Sequence, residues 1–176
     1  MSPVTLTTSR LVLRPLVESD ALDVYAACSD ARLTETTIFE THQTMADTDA
    51  FLAHVAGPNR NPTGGTTLAV TRGERLVGCC GFFPVAGTTH AVELGYWIAV
   101  PEWGRGYATE AAARLLDHAF ENPDTHRVQA RVFAGNAASV RVLGKLGFRD
   151  EGTHRAAVLR RGKYVDVMMF ARLRGD

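Results

Sequence analysis

The chain has 176 residues, 45% apolar and 22% charged, with 19 basic against 19 acidic side chains and zero formal net charge. This length fits one domain over residues 1–176 with a sizeable core, and the composition is that of a soluble globular protein. The charge balance argues against a general nucleic-acid or membrane-surface binder, and no apolar run nears the ~18 residues that span a bilayer. The polar N-terminus carries no apolar signal core. The three cysteines form neither a disulfide framework nor a zinc pattern, and no metal is expected. Adjacent Cys79 and Cys80 on a strand face opposite ways and read as buried free thiols, consistent with a reducing cytoplasm.

In chain order, Leu6, Val12, Leu13 and Leu16 predict a first strand ending at Pro15. Ser19 or Asp20 caps a helix over about 20–28. Residues 29–43 read as a loop or broken helix. Apolar positions 45, 51, 52 and 55 give a helical period from Thr44 to about Val55. The run 57–65 is a turn-rich connection. A meander follows: strand 67–71, a turn at 72–74, strand 75–83, a loop at 84–89 and strand 90–100. A helix over 109–120 ends near Asn122 and Pro123, and strand 127–133 comes next. Asn136 caps a helix through Leu146, stopped by Gly147. Two last strands, 148–159 and 164–173, flank a turn at 160–163. The order β-α-α-β-β-β-α-β-α-β-β is a mixed α/β fold of the α+β type: a mostly antiparallel sheet of about seven strands with about four helices. It does not alternate as a doubly wound nucleotide fold does.

The stretch 97–113, WIAVPEWGRGYATEAAA, joins a strand to a helix through two glycines. The unpaired amides of a first helical turn and the helix dipole favour an anion, and glycine lets the backbone approach a phosphate. The Rossmann glycine pattern fails at Thr109, and the Walker pattern is absent. By spacing alone, a plain strand-to-helix closure is an equal reading.

Together with E93-L-G-Y-W-I-A-V100, N136-A-A-S-V-R-V-L-G-K-L-G-F148 and T8-S-R-L-V-L-R-P-L16, the run W103-G-R-G-Y-A-T-E-A111 resembles the GNAT superfamily of acyl-CoA-dependent N-acetyltransferases. The closest resemblance is to its RimJ/RimL branch, ribosomal-protein alanine N-acetyltransferases and their relatives, from about residue 6 to 173. Gly106 and Ala108 match the last positions of the family's phosphate signature, while Trp103 stands where Gln or Arg is common. The resemblance implies a GNAT-like sheet with acetyl-CoA as co-substrate. It implies a primary amine as acceptor, either a protein N-terminal α-amine or a small molecule, attacked directly in a ternary complex.

On that reading Trp103, Gly104, Arg105, Gly106, Tyr107, Ala108 and Thr109 form the pyrophosphate turn, mainly through backbone amides, with Arg105 adding a charge-assisted bond. Ile98, Ala99 and Val100 form the strand edge that pairs with the pantetheine, beside a slot opened against strand 127–133. A backbone N–H there can also serve the oxyanion. Asn136 reads equally as an N-cap and as a ligand contact. Ser139, one turn on, is implied near the sulfur as a proton donor to the leaving thiolate. The tyrosine common one turn further on is replaced by Leu143. Lys145 and Arg141 read as surface charge. Transfer requires a neutral amine, so a base must take a proton. Glu93, a carboxylate within an apolar strand, is the first candidate and His90 the second, with water alone as the remaining option. Tyr25, Glu35, Phe39, Glu40, His42, Arg160, Arg161 and Tyr164 outline the acceptor side. A non-catalytic acyl-CoA-binding or sensor domain is the alternative reading. The apolar residues Val165, Val167, Met168, Met169 and Phe170 fit either a core strand or a homodimer face.

Overall fold

A computed structural model describes residues 4–55 and 65–176. The expected connection at 57–65 therefore lies, apart from Gly65, outside the described residues. Strands β1 (Leu6–Thr7), β2 (Val12–Pro15), β3 (Thr66–Arg72), β4 (Arg75–Pro84), β5 (Ala91–Ile98), β6 (Arg127–Phe133), β7 (Arg149–Arg160) and β8 (Lys163–Leu173) form one sheet in the order β1-β2-β3-β4-β5-β6-β8-β7. The helices are α1 (Ala21–Cys28), α2 (Ala31–Thr34), α3 (Met45–Val55), α4 (Tyr107–Glu121) and α5 (Ala137–Lys145). The described residues thus hold eight strands and five helices, where the sequence pattern predicts about seven and four. The extra strand comes from the first segment. Thr8 accepts the Leu11 N–H on its hydroxyl at 2.9 Å and reverses the chain, so Leu6 pairs back against Leu13. The extra helix is the single turn α2, inside the expected broken stretch, capped by the Asp30 side chain.

Alternating strand side chains build two cores. On one face Leu94, Ile98, Val128, Ala130 and Val132 pack against Tyr107, Leu115 and Leu116 of α4 and Leu143 of α5. On the other, Trp97, Ala69 and Cys79 pack against Val24, Leu33 and Leu52 of α1–α3. Cys79 and Cys80 divide between the two as period-2 alternation requires. All three thiols are buried, which pushes Cys28 and Cys80 up to about 12 and keeps them protonated. A cysteine-thioester route therefore has no thiolate to start from. β8 lies inside the sheet between β6 and β7, and Val167 and Phe170 are buried there within the chain's own core.

The feature that positions the site is the contact of β5 with β6. They pair in parallel only at Ala91↔Arg127, Val92↔Val128 and Glu93↔Gln129. Beyond that, β5 stays with β4 as far as Ile98, and β6 stays with β8 as far as Phe133. Two half-paired edges thus diverge and face a gap, the slot expected between these strands.

Candidate active site

The chain leaves β5 through a single 3-10 turn, Val100–Glu102, so the strand stops at Ile98 rather than at Val100. Gly104 and Gly106 take left-handed φ angles of 76° and 81°. Helix α4 then opens at Tyr107, two residues before the expected Thr109, with Gly106 as its N-cap. Glycine is the residue that reaches this conformation without a Cβ penalty. Among the described residues, the six consecutive amides from Gly104 to Thr109 have no acceptor, and the helix ladder begins with Glu110 N–H to Gly106 O at 3.0 Å. Six N–H groups curled by left-handed glycines onto a helix N-terminus form an anion seat. The Tyr107 side chain is buried, so this residue offers the seat only its amide.

A residue 100 positions away braces the seat. Arg10, in the β1–β2 turn, donates through Nη1 to the Arg105 carbonyl at 3.0 Å and through Nε to Glu110 Oε2 at 2.7 Å. Its guanidinium lies 4.8 Å from the Tyr107 ring centre. The Glu110 carboxylate also accepts from the Thr8 hydroxyl, the Ser9 hydroxyl and the Arg10 N–H. Burial pushes this carboxyl up, but these hydrogen bonds outweigh it and hold it below its ordinary value. Its charge is therefore neutralised against the β1–β2 turn instead of repelling an anion at the helix start. Arg105 does not stand free for a phosphate as expected. Its Nε lies 3.2 Å from the mostly buried Glu102 Oε2, an ion contact too poorly aligned to be a hydrogen bond. Only its terminal nitrogens remain for a ligand.

The edge of β5 is narrower than the sequence implies. The Ala99 N–H bonds the Val77 carbonyl at 2.9 Å, so Ala99 offers no donor. By strand alternation, Ile98 turns its N–H and carbonyl toward the gap. The Trp103 indole N–H takes that carbonyl at 2.7 Å. The Ile98 and Val100 amides are what remain. Trp103 thus caps the strand end, where an Arg or Gln would have reached outward.

Glu93 sits at the last paired position, where the gap opens. Its Oε1 accepts from Arg131 Nε at 2.8 Å and its Oε2 from Gln129 at 3.3 Å, so the ion pair that a strand carboxylate needs is present. A carboxylate has about four acceptor sites, so two bonds leave room for a further donor. His90 lies at the closed end of the strand pair, exposed, with Nδ1 3.4 Å from the Asp124 carbonyl. That places it away from the gap and removes the geometric case for it.

Asn136 is the N-cap of α5, its Oδ1 accepting the Ser139 N–H at 3.1 Å. Its side-chain amide nitrogen has no partner among the described residues. The Ser139 hydroxyl meets the Tyr96 hydroxyl at 2.7 Å, joining α5 to β5 across the opened gap. Sequence reasoning missed Tyr96, although alternation from Glu93 already assigns the two to opposite faces. Tyr96 packs with the α4–α5 core, whereas Glu93 shares its face with Trp97 and α1–α3. A proton acceptor and a hydroxyl pair thus flank the slot from opposite sides. Burial pushes the Tyr96 phenol up to about 12, against a small opposing pull from its bond to Ser139.

On the acceptor side, the expected segments do meet. Arg160 donates to the carbonyls of Thr34 and Glu35 and lies 5.1 Å from the Phe133 ring centre. Arg161 Nε lies 3.2 Å from Glu40. Two of the expected surface residues turn inward. His42 is buried, bonded through Nδ1 to Thr48 at 2.9 Å, and joins Phe39, Phe51 and Trp97 in an aromatic cluster. Burial lowers its pKa despite nearby Asp47, so it stays neutral. Tyr25 bonds the Gln43 carbonyl, and Glu35, Glu40 and Tyr164 are exposed.

The family model described as an acetyltransferase (GNAT) domain matches residues 10–149. The N-acetyltransferase YoaA of Bacillus subtilis, described as uncharacterized, is 28% identical over 173 residues, 97% of either chain. Two other Bacillus relatives match over 62% and 58% of their own length. A GNAT-family acetyltransferase from Bacillus anthracis superposes with a TM-score of 0.85 at 26% identity, covering 97% of this chain and 98% of that one. RimL, a ribosomal L7/L12 alpha-N-protein acetyltransferase solved with coenzyme A, shares the fold with a TM-score of 0.79 at 20% identity over 97% and 98% of the two chains. Relatives named as N-acetyltransferases count against the binding-only alternative. The donor set fits the co-substrate too: a row of amides for a diphosphate, an open strand edge for peptide-like amides, and no group of side chains that would hold a metal among the described residues. Family, fold and amide seat agree that the chain belongs to the GNAT acetyltransferases, which acetylate amines with acetyl-CoA as co-substrate.

Proposed function

We propose that the chain acetylates a primary amine, a protein N-terminal α-amine or a small-molecule amine, by direct attack within a ternary complex. The observation that carries this reading is the row of six unpartnered amides, Gly104–Thr109, following the β5 arm of the open slot. The diphosphate rests on these amides, and the pantetheine follows the Ile98 and Val100 N–H groups. One of those two also faces the carbonyl oxygen as it becomes an oxyanion. Glu93 takes a proton from the incoming ammonium, directly or through water. The neutral nitrogen attacks the carbonyl carbon, the C–S bond breaks, and its electron pair goes to sulfur. The Ser139 hydroxyl hydrogen-bonds that sulfur, and the proton lost by nitrogen ends on the thiol. The balance is ammonium plus acetyl-CoA giving the N-acetylated amine, CoA-SH and one proton, which Glu93 returns to solvent.

An acceptor screen read by thiol release, run beside Glu93→Gln, tests the assignment. The variant should lose about a hundredfold in kcat with its KM for acetyl-CoA unchanged, as expected for a missing base. Undiminished turnover would remove Glu93 from the mechanism.

A further inference from the structure

We propose that Tyr96 is a positioning residue for the leaving sulfur: its hydroxyl, 2.7 Å from Ser139 Oγ, donates to that oxygen and leaves the Ser139 proton to point at the thioester. The inference rests on the place given to Ser139 in the proposed function.

Backbone pairing between β5 and β6 has ended three residues before Tyr96, and beyond that point the Tyr96 hydroxyl ties β5 to α5 through Ser139. Each of the two oxygens carries one proton, so the direction of donation decides which proton stays available. A phenol is a stronger acid than an alcohol and therefore the better donor. The competing acceptor for that proton, the Ser139 carbonyl, is farther away at 3.4 Å, so the shorter contact at 2.7 Å takes it. The Ser139 hydroxyl has no other partner among the described residues, and its proton is left unused. Burial pushes the phenol up to about 12, so it keeps its proton throughout the neutral range and has one to donate. The Ser139 backbone is fixed as well, because its N–H is held by the Asn136 cap. Helix cap, serine and tyrosine together leave that hydroxyl a single donating direction.

A neutral donor aimed at sulfur favours the thiolate, so the signature is the acidity of enzyme-bound CoA. This is read from thiolate absorbance in a pH titration against the same protein carrying desulfo-CoA, and no acceptor is needed. The three cysteines are buried and ionise far above the range scanned. In the wild type, the bound thiol should titrate below the ~8.5 of a free thiol. Ser139→Ala should raise that value, and Tyr96→Phe should raise it by about one unit, the effect of one hydrogen bond. The double variant should match Ser139→Ala alone. CoA affinity by calorimetry, at a pH well below the bound-thiol pKa where free and bound thiol are both protonated, should stay unchanged in Tyr96→Phe.

A shift in Ser139→Ala with none in Tyr96→Phe, or additive shifts in the double variant, overturns the inference and leaves the proposed function standing. CoA affinity lost at that low pH as well reduces Tyr96 to a packing residue and overturns it too. No shift in Ser139→Ala removes Ser139 from the sulfur and takes both readings of that residue with it. If Tyr96→Phe fails to fold, ring-fluorinated tyrosine, a stronger donor, can be incorporated instead. The bound-thiol pKa should then fall further in the native sequence but not in Ser139→Ala, and an unmoved value overturns the proposal.

Discussion

At the proposed coenzyme corner, the unpaired donors among the described residues are main-chain amides, shaped by two glycines and braced from behind by Arg10 and Glu110. Across the sheet, the side proposed for the acceptor is closed by the β7–β8 turn, whose Arg160 and Arg161 reach over to the α2 loop. The first arrangement needs little from side-chain identity at the point of contact. The second is made of long, partly exposed side chains, each free to change without disturbing the sheet. A ligand common to a whole family can be read by the backbone, whereas an acceptor that differs between members is left to loops.

Breaking the first region should give the largest effect. Gly106→Asp places a Cβ on a left-handed backbone, costing about 1–3 kcal/mol, and sets a negative charge on the anion seat. CoA affinity by calorimetry should fall at least about a hundredfold, and native affinity would refute the phosphate seat. Arg10→Ala leaves the amides in place but removes their brace. CoA affinity should drop about tenfold while the kcat of acetyl-loaded enzyme changes little. An equal loss in kcat would mean that the brace serves more than the seat.

Arg160→Ala tests the other region. It frees the hairpin turn from the Thr34 and Glu35 carbonyls, and a few-fold rise in acceptor KM should follow with CoA affinity intact. If CoA affinity falls as well, the two regions are not independent. The smallest effect is expected from pH. The Glu110 carboxyl is depressed in the fold, so its stabilising contribution is complete above the ordinary carboxylate pKa of about 4.3 and is lost as pH falls through the lower folded value. Melting temperature should therefore drop between about pH 5 and 3, and less steeply in Glu110→Gln. Parallel curves would show that the Thr8–Arg10 cluster does not hold that charge.

Legibility followed the same division. Local chemistry carried far: the glycine turn, the Asn136 cap and the Arg127–Phe133 strand stand where residue types require them. The cofactor-edge reading was too generous for Ala99 and Arg105, because one donates to Val77 and the other faces Glu102. Neither partner lies within a motif. Arg10 lies within the first strand's pattern, and nothing local joins it to a turn 95 residues away. Tyr96 was within reach of the alternation argument, but its partner on α5 was not.

Residue order alone encodes the alternation that built two cores, the glycine bend after β5 and the motifs of the family to which the chain belongs. These depend on short-range geometry, in which a residue and its near neighbours set φ, caps and facing. Packing in three dimensions parts β5 from β6 after Glu93, sets Arg10 behind the bend, turns His42 inward and brings the hydroxyls of Tyr96 and Ser139 together. Those contacts join residues far apart in the chain. Their distances are set by how the helices and sheet pack together, which no local spacing encodes.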